Sequence, residues 1–235
     1  MKNRIFKRYF EISSKHTIFK TMIAVIKGDI IHSRKLSNPE PWLIPLQGLF
    51  GQWGNTPKTW ELVWGDFFQI EINQPEDALK RALQIKTLIK KIQSENSEKT
   101  SSPVDVRMAI GIGEKTYSGA KISESSGSAF VFASERFDRL KKDRLNLAIQ
   151  SPWKEFDLEM NLFFDFAGII MDHWSISSAE LMDIVLNQPS ITQTEIGEKL
   201  GIKQNSVSGR WNRTHGAKLL EMEALFRQKI LNLTK

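Results

Sequence analysis

Two aspartates occupy positions at which a carboxylate could do chemistry. Asp29 interrupts the apolar run 22–31, which otherwise predicts a buried strand, and Asp66 lies at the turn of a predicted hairpin over 59–72. An unpaired buried carboxylate is costly, so each needs a structural donor or a metal ion. Aspartates from adjacent β elements can converge on Mg²⁺, and two such ions can organise a triphosphate for phosphoryl or nucleotidyl transfer. The residues alone leave both partners open.

The elements around these aspartates alternate between strands and helices. Strands are predicted at 22–31, in two runs within 59–72, at 104–113 and at 145–152; a short helix within 38–55 and helices at 75–96 and 129–142 lie between them. This order predicts an α+β sandwich, ferredoxin-like, with helices on a mostly antiparallel sheet over 22–152. A second, all-α domain is predicted over 153–235, opening with a long apolar helix at 155–174.

Composition narrows the class of protein. The chain has no cysteine, which excludes disulfides, thiolate metal sites and a cysteine nucleophile, and it is compatible with a cytoplasmic location. Without a run of about 18 apolar residues, no transmembrane helix or membrane partner is expected. The net charge of +6 comes from the ends: a basic N-terminal extension, 1–21, has six Lys/Arg and one Glu, and 190–235 has eight Lys/Arg and four Glu. This excess suggests a nucleic-acid contact near a terminus, although a solvated basic surface explains it too.

The most specific pattern in the C-terminal part is a helix-turn-helix over 192–213. Gly197 supplies the small residue where two helices cross, Gly201 supplies the turn, and Thr192 is a plausible N-cap. The second helix begins with polar residues that can reach base edges. Arginines further along the same helix can bind phosphates or bases. The predicted DNA-binding residues are Lys203, Gln204, Asn205, Ser206, Ser208, Arg210 and Arg213. A helical hairpin for protein contact or dimerisation is the alternative, and Gly209 weakens the helix.

The aspartate pair resembles the core of class III nucleotidyl cyclases. Asp29-Ile30 ending a strand, Gly65-Asp66 in a hairpin, "RMAIGIG" (107–113) and "SGSAFVFASERFDRL" (126–140) are similar to that family's motifs in order and context. Over 22–235, "AVIKGDIIHSR", "GDFFQ", "SGSAF" and the C-terminal motif resemble the SatD family of bacterial cytoplasmic proteins. The resemblance implies a Mg²⁺ site at Asp29, Ile30 and Asp66. Nucleotide contacts are expected at Gly28, Gly65, Lys115, Lys121, Gly127 and Ser128.

The chain departs from the cyclase pattern at the positions whose side chains catalysis requires. Val131 stands at the position of the family's transition-state Asn and Glu135 at that of its Arg, while Ser128 replaces the Asp beside the glycine. An Asn or Arg that stabilises phosphate charge normally supplies several kcal/mol of transition-state binding, and a valine cannot do so. We therefore expect a DNA-binding transcriptional regulator that senses a nucleotide through a degenerate cyclase-like domain. The alternatives are a Mg²⁺-dependent nucleotidyl cyclase or nucleotidyltransferase, and aspartates that only cap turns. A homodimer is plausible, because cyclases of this class form their sites between protomers and DNA half-sites are symmetric.

Overall fold

The computed structural model describes residues 21–63, 65–93 and 100–235, which form five strands and eight α-helices. The sheet half contains β1 Thr21–Ile31, α1 Glu40–Gly51, β2 Trp60–Val63, β3 Phe67–Ile72, α2 Ala78–Lys90, β4 Asp105–Lys115, α3 Ser128–Asp143 and β5 Leu147–Gln150. The helical half contains α4 Lys154–Met171, α5 Ile176–Asn187, α6 Gln193–Leu200, α7 Gln204–Thr214 and α8 Gly216–Leu233. Short 3-10 turns lie at Ser33–Lys35, Pro75–Asp77 and Ile122–Glu124. The predicted α+β class is confirmed.

Most predicted elements are present, with shifted ends. The helix expected over 75–96 begins as a 3-10 turn and is α-helical only from Ala78 to Lys90. The strand expected at 145–152 is only four residues long, and β4 continues to Lys115. The predicted basic extension, apart from Thr21, and the end of the predicted 75–96 helix lie outside the described residues.

The sheet has the strand order β2-β3-β1-β4-β5. The central strand β1 pairs antiparallel with β3 and β4, and β2 pairs antiparallel with β3, whereas β5 runs parallel to β4. The expectation of a mostly antiparallel sheet agrees with these pairings. Residue Asp29 on β1 lies opposite Arg107 on β4 and opposite Phe67 on β3.

The two faces of the sheet are covered differently. Even-numbered residues of β1, such as Ala24 and Ile26, enter the large core that also contains residues of α1, α2 and α4. Odd-numbered residues, such as Ile23 and Val25, pack against α3 in a smaller cluster. Since side chains alternate along a strand, Asp29 lies on the α3 side of the sheet. Helix α3 approaches β4 closely: a Cβ on Gly111 would lie 2.2 Å from the carbonyl oxygen of Ala129, so this position of β4 requires a glycine.

The large core continues from the sheet half into the helical half. A single cluster of buried residues includes Ile26 of β1, Leu83 of α2, Phe164 of α4 and Phe226 of α8. Helix α2 lies between the sheet and the helical half, and 11 of its 13 residues are buried. No helix among the described residues is long and apolar enough to cross a membrane.

Candidate functional site

The carboxylate of Asp29 has a structural partner. The guanidinium of Arg107 binds it with two parallel hydrogen bonds, from Nε to Oδ1 at 3.0 Å and from Nη2 to Oδ2 at 2.6 Å. Both side chains are only 20–24% exposed, so the pair lies in a partly desolvated position on the α3 face. A bidentate arginine–carboxylate pair is among the stronger protein ion pairs. The antiparallel register of β1 and β4 therefore supplies the donor that Asp29 needs.

The hairpin between β2 and β3 places Asp66 beside the end of β1. The backbone N–H of Ile30 donates to the carbonyl of Asp66 at 3.0 Å, and the Ser33 hydroxyl donates to its Oδ2 at 2.9 Å. Gly65 adopts φ 89° in open space, so the turn requires a glycine for conformation. The predicted metal residues Asp29, Ile30 and Asp66 thus come together along the backbone at one end of the sheet.

The donor set fits one weakly held ion better than a two-metal centre. Magnesium is usually bound through one or two carboxylates together with phosphate oxygens and water. Asp66 suits that role, whereas both oxygens of Asp29 are held by a guanidinium whose positive charge opposes a cation. Among the residues that the structure describes, no group of three or more His, Cys, Asp or Glu is arranged to hold a metal. A bound ion would therefore depend on Asp66 and on the phosphates of a ligand.

Three of the predicted nucleotide residues have packing roles. A Cβ on Gly28 would lie 2.3 Å from the Phe68 ring, and one on Gly127 would lie 2.1 Å from the carbonyl oxygen of Glu114. Ser128 accepts a hydrogen bond from the backbone N–H of Glu114 at 2.8 Å. The contacts of Gly127 and Ser128 hold α3 against β4, and that of Gly28 lets the Phe68 ring of β3 pack on β1; these roles explain the three residues without a ligand.

The other positions taken from the cyclase pattern lie apart from the aspartates. The ammonium of Lys115 binds both oxygens of Glu71, at 2.8 and 2.6 Å. Lys121 is exposed before the 3-10 turn Ile122–Glu124. Val131 is 51% exposed, and Glu135 is exposed and accepts from Gln150 at 2.7 Å. Neither residue offers a cation or amide to a phosphate.

Sequence reasoning missed a polar cavity beside the end of β1. It has a volume of about 300 Å³ and lies between the segment after β1, the C-terminal end of α2 and the start of β4. Basic groups and hydroxyls line it, with one carboxylate: His32, Lys35, Lys90, Ser101, Ser102 and Asp105. Lys90 lies 3.4 Å from Asp105, and the Lys35 ammonium and the His32 imidazole also line the cavity. A histidine three residues beyond Asp29 was its only sequence signal.

We expect Arg107→Met to destabilise the protein by about 1–3 kcal/mol, because it leaves the Asp29 carboxylate without its charged donor. Urea unfolding followed by circular dichroism measures the change. The double variant Asp29→Asn with Arg107→Met should recover part of the loss, since it removes the unpaired charge. An unchanged midpoint for Arg107→Met alone would mean that water replaces the guanidinium at little cost.

The C-terminal pattern folds into two short helices joined at Gly201. Thr192 caps α6: its hydroxyl accepts from the Glu195 N–H at 3.3 Å, and Glu195 in turn accepts from the Thr192 N–H at 2.7 Å. These bonds from Thr192 lower the pKa of Glu195. Gly201 adopts φ 64°, and a Cβ on Gly197 would lie 2.7 Å from the carbonyl oxygen of Ile202. Thr192 thus caps α6 and Gly201 ends it in the left-handed conformation, and Gly197 packs closely against the turn that follows.

Helix α7 buries one side and leaves a polar side open. Val207 and Thr214 are buried against the core, while Lys203, Gln204, Asn205, Ser206 and Arg213 are exposed and Ser208 is half-buried. The Gln204 amide donates to Oε1 of Gln193 at 2.7 Å, so the first residues of α6 and α7 are linked side by side. The described surface therefore presents six of the seven predicted DNA-binding residues from one short helix and its N-cap.

Arg210 is placed differently from the other predicted DNA contacts. It is half-buried on the inner side of α7, where its Nη1 lies 3.9 Å from Oε2 of Glu180 on α5. Arg210 thus lies toward the side of α7 that Val207 and Thr214 bury, whereas Arg213 is exposed.

Charge is strongly one-sided around α7. From residue 199 to residue 220 the chain has five Lys/Arg and no Asp or Glu. The N-terminus of α7 adds the partial positive charge of its free N–H groups. Two carboxylates from outside this stretch pair with its cations: Glu221 lies 2.8 Å from Lys218, and Glu180 lies 3.9 Å from Arg210.

No protein-family model matches the chain, and no curated protein matches its sequence.

Proposed function

We propose that the chain is a DNA-binding regulator in which α6 and α7 act as a helix-turn-helix. The observation that supports this most strongly is the exposed polar side of α7, free of carboxylates and flanked by basic residues from 199 to 220. A helix of this kind, held by a capped helix and a glycine turn, is the usual reader of the major groove.

The proposed contacts divide into two classes. Gln204, Asn205 and Ser206, at the start of α7, would meet base edges, and the Gln193–Gln204 bond would fix the orientation of the first of them. Lys203, Ser208 and Arg213 would bind phosphates, which supply affinity but little sequence preference. Arg210 is left out of both classes because it faces Glu180.

We expect Arg213→Ala to weaken DNA binding for all sequences and to reduce the salt dependence by about one counterion. Asn205→Ala should instead relax the preference at one base pair, at a cost of about 1–3 kcal/mol for the preferred site. The measurement is fluorescence anisotropy of the full chain, at two salt concentrations, on duplexes selected from a random pool.

The control for the DNA experiment is Lys141→Ala, which removes an exposed lysine of α3. It should leave affinity and salt slope unchanged. Equal losses from Lys141→Ala and Arg213→Ala would show general attraction to a basic surface. If no DNA binding were detected at low salt, the two helices would instead be interpreted as a hairpin for protein contact.

We further propose that the sheet half senses a nucleotide whose phosphates lie near the end of β1. The supporting observations are the meeting of Asp29, Ile30 and Asp66 and the neighbouring cavity with His32 and Lys35. The cyclase alternative is favoured by the same aspartates, but Arg107 neutralises Asp29, and Val131 and Glu135 supply no charge stabilisation.

Nucleoside triphosphates with Mg²⁺ should therefore bind without rapid turnover. Isothermal titration calorimetry measures binding, and chromatography of the same mixtures measures product. We expect Asp66→Asn to weaken the Mg²⁺-dependent binding at least tenfold, whereas Asp165→Asn, on the exposed side of α4, should not. Fast formation of a cyclic product that Asp66→Asn abolishes would establish the cyclase alternative.

A further inference from the structure

Helix α4 exposes a row of large apolar side chains. Leu158 is 78% exposed, Leu162 55%, Phe166 61% and Ile169 64%. Their spacings of four, four and three residues place them on one side of the helix. The opposite side is also apolar, since Phe156, Met160, Phe164, Ala167 and Met171 are buried in the large core. A helix that is apolar on both sides is normally covered on both sides.

An apolar groove runs beside this row, between α4 and α8. It has a volume of about 320 Å³, and its walls include Phe163, Phe166, Ala167, Ile170, Met222 and Leu225. Lys218 and Glu221 stand at its rim and bind each other at 2.8 Å. The two rim charges are thus already paired with each other. An apolar side chain can therefore enter the groove without burying an unpaired charge.

We propose that α4 pairs antiparallel with α4 of a second copy of this chain, around a two-fold axis near Leu162. In that register Leu158, the most exposed side chain of the row, lies opposite Phe166 of the other copy and enters the groove beside it. The same contact forms twice, because residues 158 and 166 are equally distant from 162. One helix carrying both a protruding side chain and a matching groove is what an isologous dimer contact requires.

The charges on α4 favour the antiparallel direction. Asp165 is exposed and lies in line with the row, between Leu162 and Ile169. A parallel pair would bring the two Asp165 carboxylates face to face in an apolar contact, which is unfavourable. In an antiparallel pair centred on residue 162 they lie about 9 Å apart along the helix axis, and each is level with Glu159 of the other copy, whose charge is already paired with Lys229 at 2.7 Å.

The area of the surface is consistent with a stable dimer. Fully accessible side chains of this size offer roughly 150–250 Å² each, so the exposed fractions of the four residues give on the order of 450 Å² per copy. A specific interface needs about 800 Å² per partner. The row thus accounts for about half of such an interface, and the proposal requires the groove walls and the polar residues that flank the row to contribute the other half. The proposal does not depend on DNA or nucleotide binding.

The absence of cysteine from the chain permits a direct test by oxidation of single-cysteine variants. Leu162→Cys should form a disulfide-linked dimer, because its two copies meet at the axis. Leu158→Cys should not, since residue 158 and its copy are offset by eight residues, about 12 Å along the axis, beyond disulfide reach. Ile44→Cys, at an apolar residue of α1 that is 60% exposed, is the control for random collision. Equal cross-linking of all three variants, or cross-linking of Leu158→Cys alone, would overturn the proposal.

Sedimentation velocity provides a second measurement on the unmodified chain of 27.0 kDa. The wild type and Ile44→Glu should sediment as dimers at micromolar concentration, and Leu162→Glu as a folded monomer with an unchanged circular dichroism spectrum. A monomeric wild type at tens of micromolar, or a Leu162→Glu variant that remains dimeric, would show that α4 is not the interface.

Discussion

Replacing Lys86 by methionine is expected to lower the free energy of unfolding by about 3–5 kcal/mol. The side chain of Lys86 is 3% exposed, and its ammonium lies 2.6 Å from Oδ1 of Asp105 and 2.5 Å from Oδ1 of Asp172. Methionine fills a similar volume but leaves two carboxylates without this cation. Asp172 then retains the amide of Asn146 and Asp105 retains Lys90 at 3.4 Å, which compensates only in part.

A matched control is Lys91→Met, one turn further along the chain. Its ammonium lies 2.5 Å from Asp183, but its side chain is 33% exposed, so water can replace it. We expect a loss of about 1 kcal/mol or less. Urea unfolding of both variants compares a buried and an accessible pair of the same chemistry. Adding Asp105→Asn to Lys86→Met should restore part of the stability, and equal losses for Lys86→Met and Lys91→Met would refute the argument from burial.

The surroundings of Lys86 show why sequence patterns described α2 only in part. The apolar residues of α2 have helical spacing and indicate one buried side, and the polar residues between them are typical of a solvated side. In the structure Gln84, Lys86, Thr87 and Lys90 are buried as well, because the helical half covers that side. They bind groups distant in sequence, such as Asp172 and Asn187. The periodicity of a sequence shows how polar each side of a helix is. It does not show whether a distant part of the chain covers the polar side and binds its residues.

The same limit applies to the aspartate site. Local signals placed Asp29 within a strand and Asp66 at a turn, because glycine and the apolar run determine those conformations within a few residues. The partner of Asp29 is 78 residues away, and only the register of β1 against β4 brings Arg107 opposite to it. Arg210 illustrates a smaller version of this effect, since its orientation toward Glu180 follows from the packing of α7 on α5.

The C-terminal helices were more predictable because their signals are local. A threonine cap and a left-handed glycine act within a dozen residues, and Thr192 and Gly201 take those roles, while Gly197 packs closely against the turn between the helices. The arrangement of the two halves, by contrast, depends on the core. Leu83 on α2 and Phe164 on α4 belong to one cluster that spans the predicted domain boundary at 152/153.

Phe226→Ala is the second change for which we expect a large effect, a loss of about 3–5 kcal/mol. The ring is fully buried on α8, and its centroid lies 5.8 Å from that of Phe156 and 6.4 Å from that of Phe164. Removing it opens a cavity between α8 and α4. Leu231→Ala, on the same helix but 43% exposed, is the control and should cost less than about 1 kcal/mol.

The form of the transition in Phe226→Ala tests whether the two halves unfold together. Because the buried cluster runs without a break from β1 to α8, we expect one transition at a lower urea concentration. Circular dichroism, which reports mainly helix, and tryptophan fluorescence, which includes the buried Trp42 and Trp60 of the sheet half and the buried Trp174 of the helical half, should then give the same midpoint with an unchanged slope. If the helical half folded independently, both signals would change in two steps, because Trp174 would be exposed before Trp42 and Trp60, and each step would have a smaller slope. A coincident shift would mean that the two halves unfold as one cooperative unit, as the continuous buried cluster requires.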